Sequence, residues 1–417
     1  MSAAAEMKDA LAAYREGRYA DSLASARRWV SAQPADPDAH RLLAQSAFRL
    51  HDHRLAATAF EAAERVGGGV ACAFNAGNAW SAAGDHPRAI EAWTRAWRAG
   101  VAAAATPLAR AFVAAGDLRA AVRTYREIAQ RDATAYDAVQ AIVTLADAED
   151  AEPAPALPLP QAGSFAPPSL LSFVVCSIDA VKLAAFSSMV AQRWAGRAHE
   201  VVPITDARSL CEGYLRGLAK SRGDAVVFCH DDIDLLAPDV AERVALHLTS
   251  HELVGAAGTT RVSGPAVLWS GHPWIHGWVT HRLPGEADYE PSFLSLEAPV
   301  VPGAQALDGV FIACRREVVE RIGFDARTFD GFHLYDLDFT YRAFLDGRRL
   351  AVACDLGLVH ASKGRFDIAW HRDAERFRRK FPALSGARGA PHWYAVRAPA
   401  ADAVLALQRR LYRMVTD

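Results

Sequence analysis

An acidic cluster that follows an apolar run is the part of this sequence best suited to chemistry. The segment Phe228–Asp234 reads Phe-Cys-His-Asp-Asp-Ile-Asp and follows the run Ala225–Val227, which predicts a short buried strand. Open α/β sheets bind their ligands at the carboxyl ends of strands, so carboxylates at this point could hold a divalent cation. A solvated acidic turn is the alternative that these residues by themselves leave open.

The elements before this cluster must position it, and their periodicity predicts βαβ units. Apolar runs of four to seven residues alternate with amphipathic helical stretches, which is typical of a parallel sheet with right-handed crossovers. The predicted strands are 171–177, 200–204 and 225–229, and the predicted helices are 181–194 and 209–222. The strand ends then share one edge, where the polar candidates for ligand binding are Cys176, Ser177, Asp179, Thr205, Asp206, His230, Asp231 and Asp232.

Length and composition indicate an ordinary globular protein. The chain has 417 residues, is 51% hydrophobic and carries a formal net charge of -2, so no bulk attraction to nucleic acid is expected. No apolar run is long enough to span a bilayer and the first residues do not resemble a secretion signal, which predicts a cytoplasmic protein. The six cysteines include no CxxC pair, which favours buried reduced thiols over a zinc knuckle or a disulfide framework.

The N-terminal third contains internal repeats. Four similar segments start near residues 3, 37, 70 and 102, at spacings of 34, 33 and 32 residues. A small residue follows each predicted turn by about five positions, and a bulky residue follows it a helical turn later in three of the four segments, as expected where neighbouring helices pack closely. The small residues are Ser22, Ala56, Ala89 and Ala121. These segments resemble tetratricopeptide (TPR) repeats over residues 3 to about 135, with a capping helix expected near 134–148. A TPR array implies a concave surface for a polypeptide or another subunit, and self-association is the alternative.

A proline-rich stretch separates the repeats from the α/β region. Residues 151–168 contain too many prolines for a helix or a central strand, so we expect a semi-rigid, extended linker. We therefore predict a TPR-like domain at 1–150 and an α/β domain at 169–417. The strand-to-helix turns of that second domain contain no GxGxxG and no GxxxxGK[ST] motif, so neither a dinucleotide fingerprint nor a P-loop is present there.

Several segments in order resemble the family-2-type glycosyltransferases of the GT-A fold. They are Cys-Ser-Ile-Asp at 176–179, the helix at 209–217, Val-Val-Phe-Cys-His-Asp-Asp-Ile at 226–233, the stretch 307–342 and Leu-Val-His at 358–360. The resemblance covers residues 171 to 381 and rests on the order of five weak motifs. It implies a Rossmann-like, mainly parallel sheet that binds a nucleotide-sugar, and the closest match is a bacterial branch with His-x-Asp in place of Asp-x-Asp.

The resemblance also implies roles for individual residues. Asp232 matches the last acid of Asp-x-Asp and becomes the expected metal ligand, with His360 as the second. His230 stands where the family has an acid, so it could contact the metal or the ribose or simply pack. Asp231 would bind the ribose and Asp308 the donor sugar. The remaining positions expected to contact the donor are Ser209, Arg216 and Gly309.

An acceptor hydroxyl needs a carboxylate to take its proton, and Tyr335-Asp336-Leu337-Asp338 supplies two. Residues two apart diverge around a helix, so both carboxylates cannot point into one site. Asp336 matches the base position of the family, and Asp338 is expected to be a structural partner, for example of Arg342. The alternative for both is stabilisation of a helix N-terminus by negative charge.

Two further stretches could contact an acceptor. Residues 260–305 are rich in tryptophan and histidine, which predicts an acceptor-side flap with contacts from Trp274, His276 and Trp278, joined by Tyr335; a small satellite core is the alternative. A basic stretch from Arg365 to Lys380 could reach a diphosphate or an anionic acceptor, or form a solvated face.

The sequence thus predicts an inverting, metal-dependent glycosyltransferase that uses a nucleotide-sugar, with a UDP-sugar and Mn²⁺ or Mg²⁺ expected. The repeats would recruit the acceptor, which could be a protein such as flagellin or a lipid-linked glycan. The alternative hypothesis is a TPR scaffold whose transferase-like domain binds nucleotide or glycan without turnover, and the departure at His230 keeps it open.

Overall fold

The structure is a computed structural model that describes residues 3–131, 136–148, 156–296, 299–364, 366–384, 386 and 394–416. It divides into two compact units, Met1–Ala138 and Val139–Asp417. No helix in the described ranges is both long and apolar enough to cross a membrane.

The first unit consists of antiparallel helical hairpins, as the repeats predict. Its helices are α1 Ala3–Arg15, α2 Tyr19–Ala32, α3 Pro37–Arg49, α4 His53–Arg65, α5 Ala71–Ala82, α6 His86–Arg98, α7 Ala105–Ala114 and α8 Leu118–Arg131. The small residues predicted at the helix crossings, Ser22, Ala56, Ala89 and Ala121, are all fully buried. Aspartates cap several helices, for example Asp52 before α4 and Asp85 before α6, where each carboxylate accepts a backbone N–H.

The helix expected to cap the repeats spans both units. This helix, α9, runs over Tyr136–Ala148, and residues 134 and 135 lie outside the described ranges. Its residues from Val139 onwards belong to the second unit. There the carbonyl of Ala146 accepts a hydrogen bond of 2.7 Å from Arg410 Nε, so the carboxyl end of α9 packs against the last helix of the chain.

The second unit is an α/β domain with two sheets. Its strands are β1 Leu171–Cys176, β2 His199–Ile204, β3 Ala225–Cys229, β4 Ile233–Leu235, β5 Leu253–Gly255, β6 Ala257–Thr259, β7 Ile275–His281, β8 Glu290–Phe293, β9 Val300–Pro302, β10 Ala306–Leu307, β11 Phe311–Arg315, β12 Leu350–Ala353, β13 Leu358–His360 and β14 Tyr394–Ala395. Its remaining helices are α10 Ala180–Arg193, α11 Leu210–Lys220, α12 Val240–Ser250, α13 Arg316–Ile322, α14 Tyr335–Leu345, α15 Ile368–Lys380 and α16 Ala401–Thr416.

The larger sheet is mixed and has the strand order β2-β1-β3-β11-β5-β12-β9. The parallel β2-β1-β3 part matches the predicted βαβ units to within a residue or two. Beyond β3 the neighbours include antiparallel pairs, since β11 runs against both β3 and β5. Every side chain of β3 is buried, because helices cover both faces of this central strand.

The second sheet carries part of the site. Its order is β10-β6-β7-β13-β4, with β8 and β14 continuing from β7. Residues 260–305, which the sequence predicted as an acceptor-side flap, contribute β7 and β8 to this sheet and β9 to the larger one. A small apolar cluster of Ala257, Ile275 and Leu294 lies beneath these strands, in line with the alternative of a satellite core.

The described part of the linker lies on the second unit as an extended strap. Residues 151–155 are outside the described ranges. The backbone N–H groups of Gly163 and Phe165 donate to Thr249 of α12, at 2.6 and 2.9 Å. The guanidinium groups of Arg315 and Arg349 lie 4.5 and 4.3 Å from the centroid of the Phe165 ring. The extended conformation was predicted, but these contacts make the segment part of the domain surface.

A close helix crossing among the repeats generates a first prediction. A Cβ added to Gly77 of α5 would lie 2.4 Å from Cδ1 of Trp93 on α6. We expect Gly77→Ala to lower stability by about 1–2 kcal/mol, because the overpacking outweighs the helix propensity gained by alanine. Thermal unfolding followed by circular dichroism measures this, with Ser81→Ala on the same helix as the control. An unchanged midpoint for Gly77→Ala would contradict the packing described.

Candidate functional site

The acidic cluster lies where the two sheets of the second unit meet. β3 ends at Cys229, the chain turns through His230–Asp232, and β4 begins at Ile233. β4 pairs antiparallel with β13, so that His360 is opposite Ile233, and the amide of Ala361 donates to the carbonyl of Asp232 at 2.9 Å. This pairing brings His360 next to the cluster.

Three side chains could hold a metal ion here. His230, Asp232 and His360 each offer a ligand atom, and these atoms all lie within 4.8 Å of one another. Nδ1 of His230 is 3.1 Å from Nε2 of His360, which in turn is 3.3 Å from Oδ1 of Asp232. Two atoms bound to one ion at about 2.1 Å lie about 3.0–3.4 Å apart in neighbouring coordination positions. The donor set therefore fits a divalent ion.

The surroundings prepare His230 to act as a neutral ligand. Its Nε2 lies 3.3 Å from the hydroxyl of Tyr335, and that hydroxyl donates to the carbonyl of Gly309 at 3.2 Å. Tyr335 therefore accepts from Nε2–H of His230, which leaves the lone pair on Nδ1 facing His360. Burial lowers the pKa of His230, and the nearby His360 lowers it further. A metal ligand needs this neutral form.

Asp232 is held as a carboxylate. Burial by itself would raise its pKa, but hydrogen bonding and charge from His360 and a hydrogen bond from Ser362 lower it well below the usual range. Oγ of Ser362 is 3.0 Å from Nε2 of His360. Nζ of Lys182 is 3.9 Å from Oδ2 of Asp232 and is half exposed. Neither Ser362 nor Lys182 was predicted from the sequence. The available signals were a hydroxyl two positions after His360 and a cation in the first turn of the helix after β1.

A second acidic pair lies beside the histidines. Oδ2 of Asp336 accepts from the amide of Gly309 at 2.7 Å, and Oδ1 of Asp308 accepts from the amide of Val310 at 3.0 Å. Burial raises the pKa of Asp336 to about 7, with repulsion from Asp308 as the second cause. A carboxyl that is partly exposed and titrates near neutrality is suited to general base catalysis.

Gly309 and Leu334 allow this close arrangement. A Cβ at Gly309 would lie 2.1 Å from the hydroxyl oxygen of Tyr335 and 3.0 Å from Cβ of Asp336, so no larger residue fits. Leu334 adopts a left-handed conformation with φ of 60° directly before α14. Such a conformation is uncommon for a bulky side chain, and it places Tyr335 and Asp336 at the start of the helix.

Asp338 points away from Asp336, as the spacing predicts. Its carboxylate is buried and accepts from Nε of Arg342 at 2.9 Å, and it is paired with Lys380 at 2.6 Å. The other end of the Arg342 guanidinium donates to the carbonyls of Ile322 and Gly323. Asp338 therefore fixes α14 against α13 and α15.

Some of the remaining residues predicted to contact the donor lie beside the metal-ligand candidates, whereas others cap helices or pack against a helix. Asp231 lies next to the metal-ligand candidates and accepts from Oγ of Ser177 at 2.6 Å. Asp179 and Ser209 instead cap α10 and α11, where their side chains accept backbone N–H groups. Cys176 packs against Gly213, and burial raises the pKa of its thiol to about 12.

The end of β2 is more open than the centre of the site. Thr205 and Asp206 are exposed, and Asp206 forms an ion pair of 2.8 Å with Arg216 on α11. This ion pair lies near the carboxyl ends of the parallel strands β1, β2 and β3. Open α/β sheets bind small ligands at this edge.

The acceptor-side candidates differ sharply in exposure. Trp274 is 37% exposed and has the Arg261 guanidinium 5.3 Å from its ring. His276 is buried and lies 3.2 Å from Oγ1 of Thr260. Trp278 is 1% exposed and donates to the carbonyl of Ser295, so its ring faces present no surface to a sugar. Trp274 is the one of these three that could contact an acceptor directly.

The basic stretch after β13 forms α15. Arg365 lies outside the described residues. Arg376 is paired with Asp330 and Asp373, at 2.5 and 3.0 Å, and Lys380 with Asp325 and Asp338, at 2.6 Å each. These two cations are therefore engaged in ion pairs within the protein, which indicates a structural role.

One family model matches part of the second unit. Residues 172–374 match the model of the "Glycosyltransferase like family". No curated protein sequence matches the chain significantly.

Solved structures resemble the chain with low overall similarity. A thermophilic TPR protein of Thermus thermophilus is 16% identical, with 31% of this chain and 74% of that chain covered and a TM-score of 0.25. MamA of Desulfovibrio magneticus is 15% identical, with 34% and 82% covered and a TM-score of 0.30. A mutant O-GlcNAc transferase of Thermobaculum terrenum is 21% identical, with 48% and 36% covered and a TM-score of 0.26.

The family match spans the elements that carry His230, Asp232, Asp308, Asp336 and His360. The structure thus combines an N-terminal region of helical hairpins with an α/β domain, and residues 172–374 of that domain are similar to the glycosyltransferase-like family.

Proposed function

We propose that the second unit is an inverting, metal-dependent glycosyltransferase that transfers a sugar from a nucleotide-sugar, with a UDP-sugar as the first donor to test. The observation that carries the proposal is the meeting of a His-Asp-His cluster with a half-buried acid, Asp336, whose pKa is raised to about 7. Loss of a diphosphate leaving group needs positive charge, and attack by a hydroxyl needs a base. The site offers residues for both.

The metal would be held by His230, Asp232 and His360. A divalent cation at this position would neutralise charge that develops on the phosphate oxygens of the leaving group. The half-exposed ammonium of Lys182, 3.9 Å from Asp232, adds a positive charge that the chain itself supplies. Two imidazole ligands beside one carboxylate favour Mn²⁺ over Mg²⁺, which prefers an all-oxygen shell.

The remaining polar residues divide between donor and acceptor. Asp231, held by Ser177, is proposed to bind the ribose, and Asp308 with Gly309 to bind the donor sugar. Asp336 takes the proton of the acceptor hydroxyl in our proposal, because desolvation and the charge of Asp308 raise its pKa to about 7 while its side chain stays partly exposed. Direct displacement by that hydroxyl would invert the anomeric centre.

We propose that the TPR-like unit recruits the acceptor. Helical repeats of this kind present extended surfaces for polypeptides, and an exposed aromatic face at Trp274 would suit a sugar or an apolar side chain. The acceptor we propose to test first is a cytoplasmic protein such as flagellin, and a lipid-linked glycan is the other acceptor to test. Binding of donor without turnover would instead support the scaffold hypothesis.

The metal cluster generates the second prediction. Asp232→Ala and His360→Ala should each abolish Mn²⁺ binding in calorimetry and lower the rate of UDP release by more than about 100-fold, since each removes a ligand from a three-residue site. Mn²⁺ should support a higher rate than Mg²⁺ in the wild type. Asp234→Ala is the matched control, because this neighbouring carboxylate is exposed on β4.

These variants separate the two hypotheses. Wild-type turnover that survives both ligand substitutions would contradict a metal role for the cluster. A wild type that binds no nucleotide-sugar across a panel of donors would contradict the transferase proposal itself.

The pKa of Asp336 generates the third prediction. If this carboxylate is the base, kcat/KM should rise about tenfold per pH unit below pH 7 and level off above it, because the carboxyl must lose its proton first. Rates measured from pH 5 to 9 with saturating Mn²⁺ test this. Asp336→Asn should be nearly inactive at every pH, and a variant that keeps the wild-type profile would assign the base elsewhere.

The raised pKa of Asp336 also predicts that stability falls as the pH rises, whereas activity should increase. The folded carboxyl titrates near pH 7 and an unfolded one near about 3.9, so the folded state binds the proton more tightly and loses stability as the pH rises between these values. Asp336→Asn removes this penalty, so its melting temperature should exceed that of the wild type by a few degrees at pH 8 and by less at pH 5.

Asp338→Asn provides the contrast on the same helix. It leaves Arg342 and Lys380 without their buried partner and should lower the melting temperature at both pH values. A pH-independent difference between Asp336→Asn and the wild type would refute the raised pKa.

A further inference from the structure

The strap, residues 156–168, contacts a buried arginine as well as the surface of α12. The carbonyls of Leu157 and Pro158 accept hydrogen bonds from Nη2 and Nη1 of Arg243, at 2.7 and 3.0 Å. The Arg243 side chain is 3% exposed. A buried guanidinium that binds main-chain carbonyls holds the chain in one position, because breaking these bonds would leave its donors unsatisfied.

All five N–H donors of Arg243 have partners. Besides the two strap carbonyls, Nε and Nη2 donate to the carboxylate of Asp239 at 2.8 and 2.7 Å, and Nη1 donates to Oδ2 of Asp355 at 3.0 Å. Asp355 is fully buried, and its other oxygen lies 2.8 Å from Nε2 of His247. One side chain thus connects the strap with two other segments of the domain.

Those two segments are the ones that carry the metal-ligand candidates. Asp239 lies four residues beyond the end of β4, the strand that follows Asp232. Asp355 lies three residues before β13, the strand that ends at His360. Between these anchors the two strands pair with Leu358 opposite Leu235 and His360 opposite Ile233. The connection is closed by the amide of Leu236, which donates to Gly357 at 2.9 Å.

The register of this short ribbon decides whether the site exists. A strand shifted by one residue turns each side chain to the opposite face, so a slip of β13 would remove His360 from Asp232. Three-residue strands have few hydrogen bonds of their own, and anchors at their ends therefore have a large effect on their order.

We propose that the strap and Arg243 are positioning elements of the metal site: seating of the strap on Arg243 holds β4 and β13 in the register that brings Asp232 and His360 together. This rests on the proposed function only in that the ribbon carries the proposed metal ligands. Because the strap continues from the linker that follows the repeats, the order of the metal site depends on a segment outside the catalytic sheet. Arg243 contacts neither donor nor metal and acts through Asp239 and Asp355.

The test displaces the strap while Arg243 stays in place. A Cβ at Gly163 would lie 2.3 Å from both Oγ of Ser250 and the carbonyl oxygen of Thr249. The double variant Gly163→Val/Phe165→Ser should therefore lose the contacts that hold the strap on α12. In the full-length protein without metal or donor, we expect faster backbone hydrogen exchange at 233–236 and 358–361, and unchanged exchange in β1 and β3. Mn²⁺ titrated into the same variant should bind about tenfold more weakly.

Leu159→Ser is the matched control, because this strap residue is 43% exposed and its removal should change neither readout. A second pair of variants tests Arg243 itself. Arg243→Met should show the same faster exchange. Arg243→Lys should recover part of the protection from exchange, because it keeps a positive charge beside Asp355. Wild-type exchange rates at 358–361 in both the strap variant and Arg243→Met would overturn the inference.

The exchange measurement keeps this inference separate from the proposed function. Faster exchange in the variants, together with a wild type that binds no Mn²⁺, would support the positioning role and refute the metal site. Normal Mn²⁺ binding and turnover with no change in exchange would support the transferase and refute the positioning role.

Discussion

The antiparallel pairing of β13 with β4 is the interaction on which the candidate site depends. It brings together histidines that are 130 residues apart in sequence, with ring nitrogens 3.1 Å from each other. Only three residue pairs make up this ribbon. Its small size explains why so many surrounding groups hold it, from the turn at Gly357 to the buried Asp355 and Arg243.

Burial then gives the acids of the site different properties. Asp232 is surrounded by histidine nitrogens and a hydroxyl, so it stays a carboxylate. Desolvation and repulsion from Asp308 raise the pKa of Asp336, so its proton is held until near pH 7. Two carboxyl groups in neighbouring environments can in this way serve as a metal ligand and as a base. Gly309 makes the arrangement possible because any side chain there would displace Tyr335.

The two units obtain their order from different kinds of contact. The repeats are stabilised by neighbouring hairpins that bury alanines and a few large aromatic side chains. The α/β unit relies on contacts between distant segments, for example strap to α12 and β13 to β7. Contacts in the repeats are therefore mainly local in sequence, whereas Gly163 of the strap bonds to Thr249, 86 residues further along the chain.

Periodicity and local residue types by themselves determined much of this protein. The spacing of small and bulky residues predicted the helical hairpins, and the alternation of apolar runs with amphipathic stretches predicted β1 to β3 within a residue or two. Both patterns are local, because a helix or a strand buries one face at a fixed period. The divergence of Asp336 and Asp338 was predictable for the same reason.

Only the tertiary structure decided which of the candidates meet. The pairing of β4 with β13, the strands within 260–305 and the burial of Trp278 depend on contacts between segments far apart in sequence, which local periodicity does not encode. Asp179 and Ser209 lie at the strand and helix ends where they were predicted, but their side chains cap helices. The strand pattern placed polar residues at one edge of a sheet and the family resemblance added His360, and three-dimensional packing brings His230, Asp232 and His360 within 4.8 Å of one another.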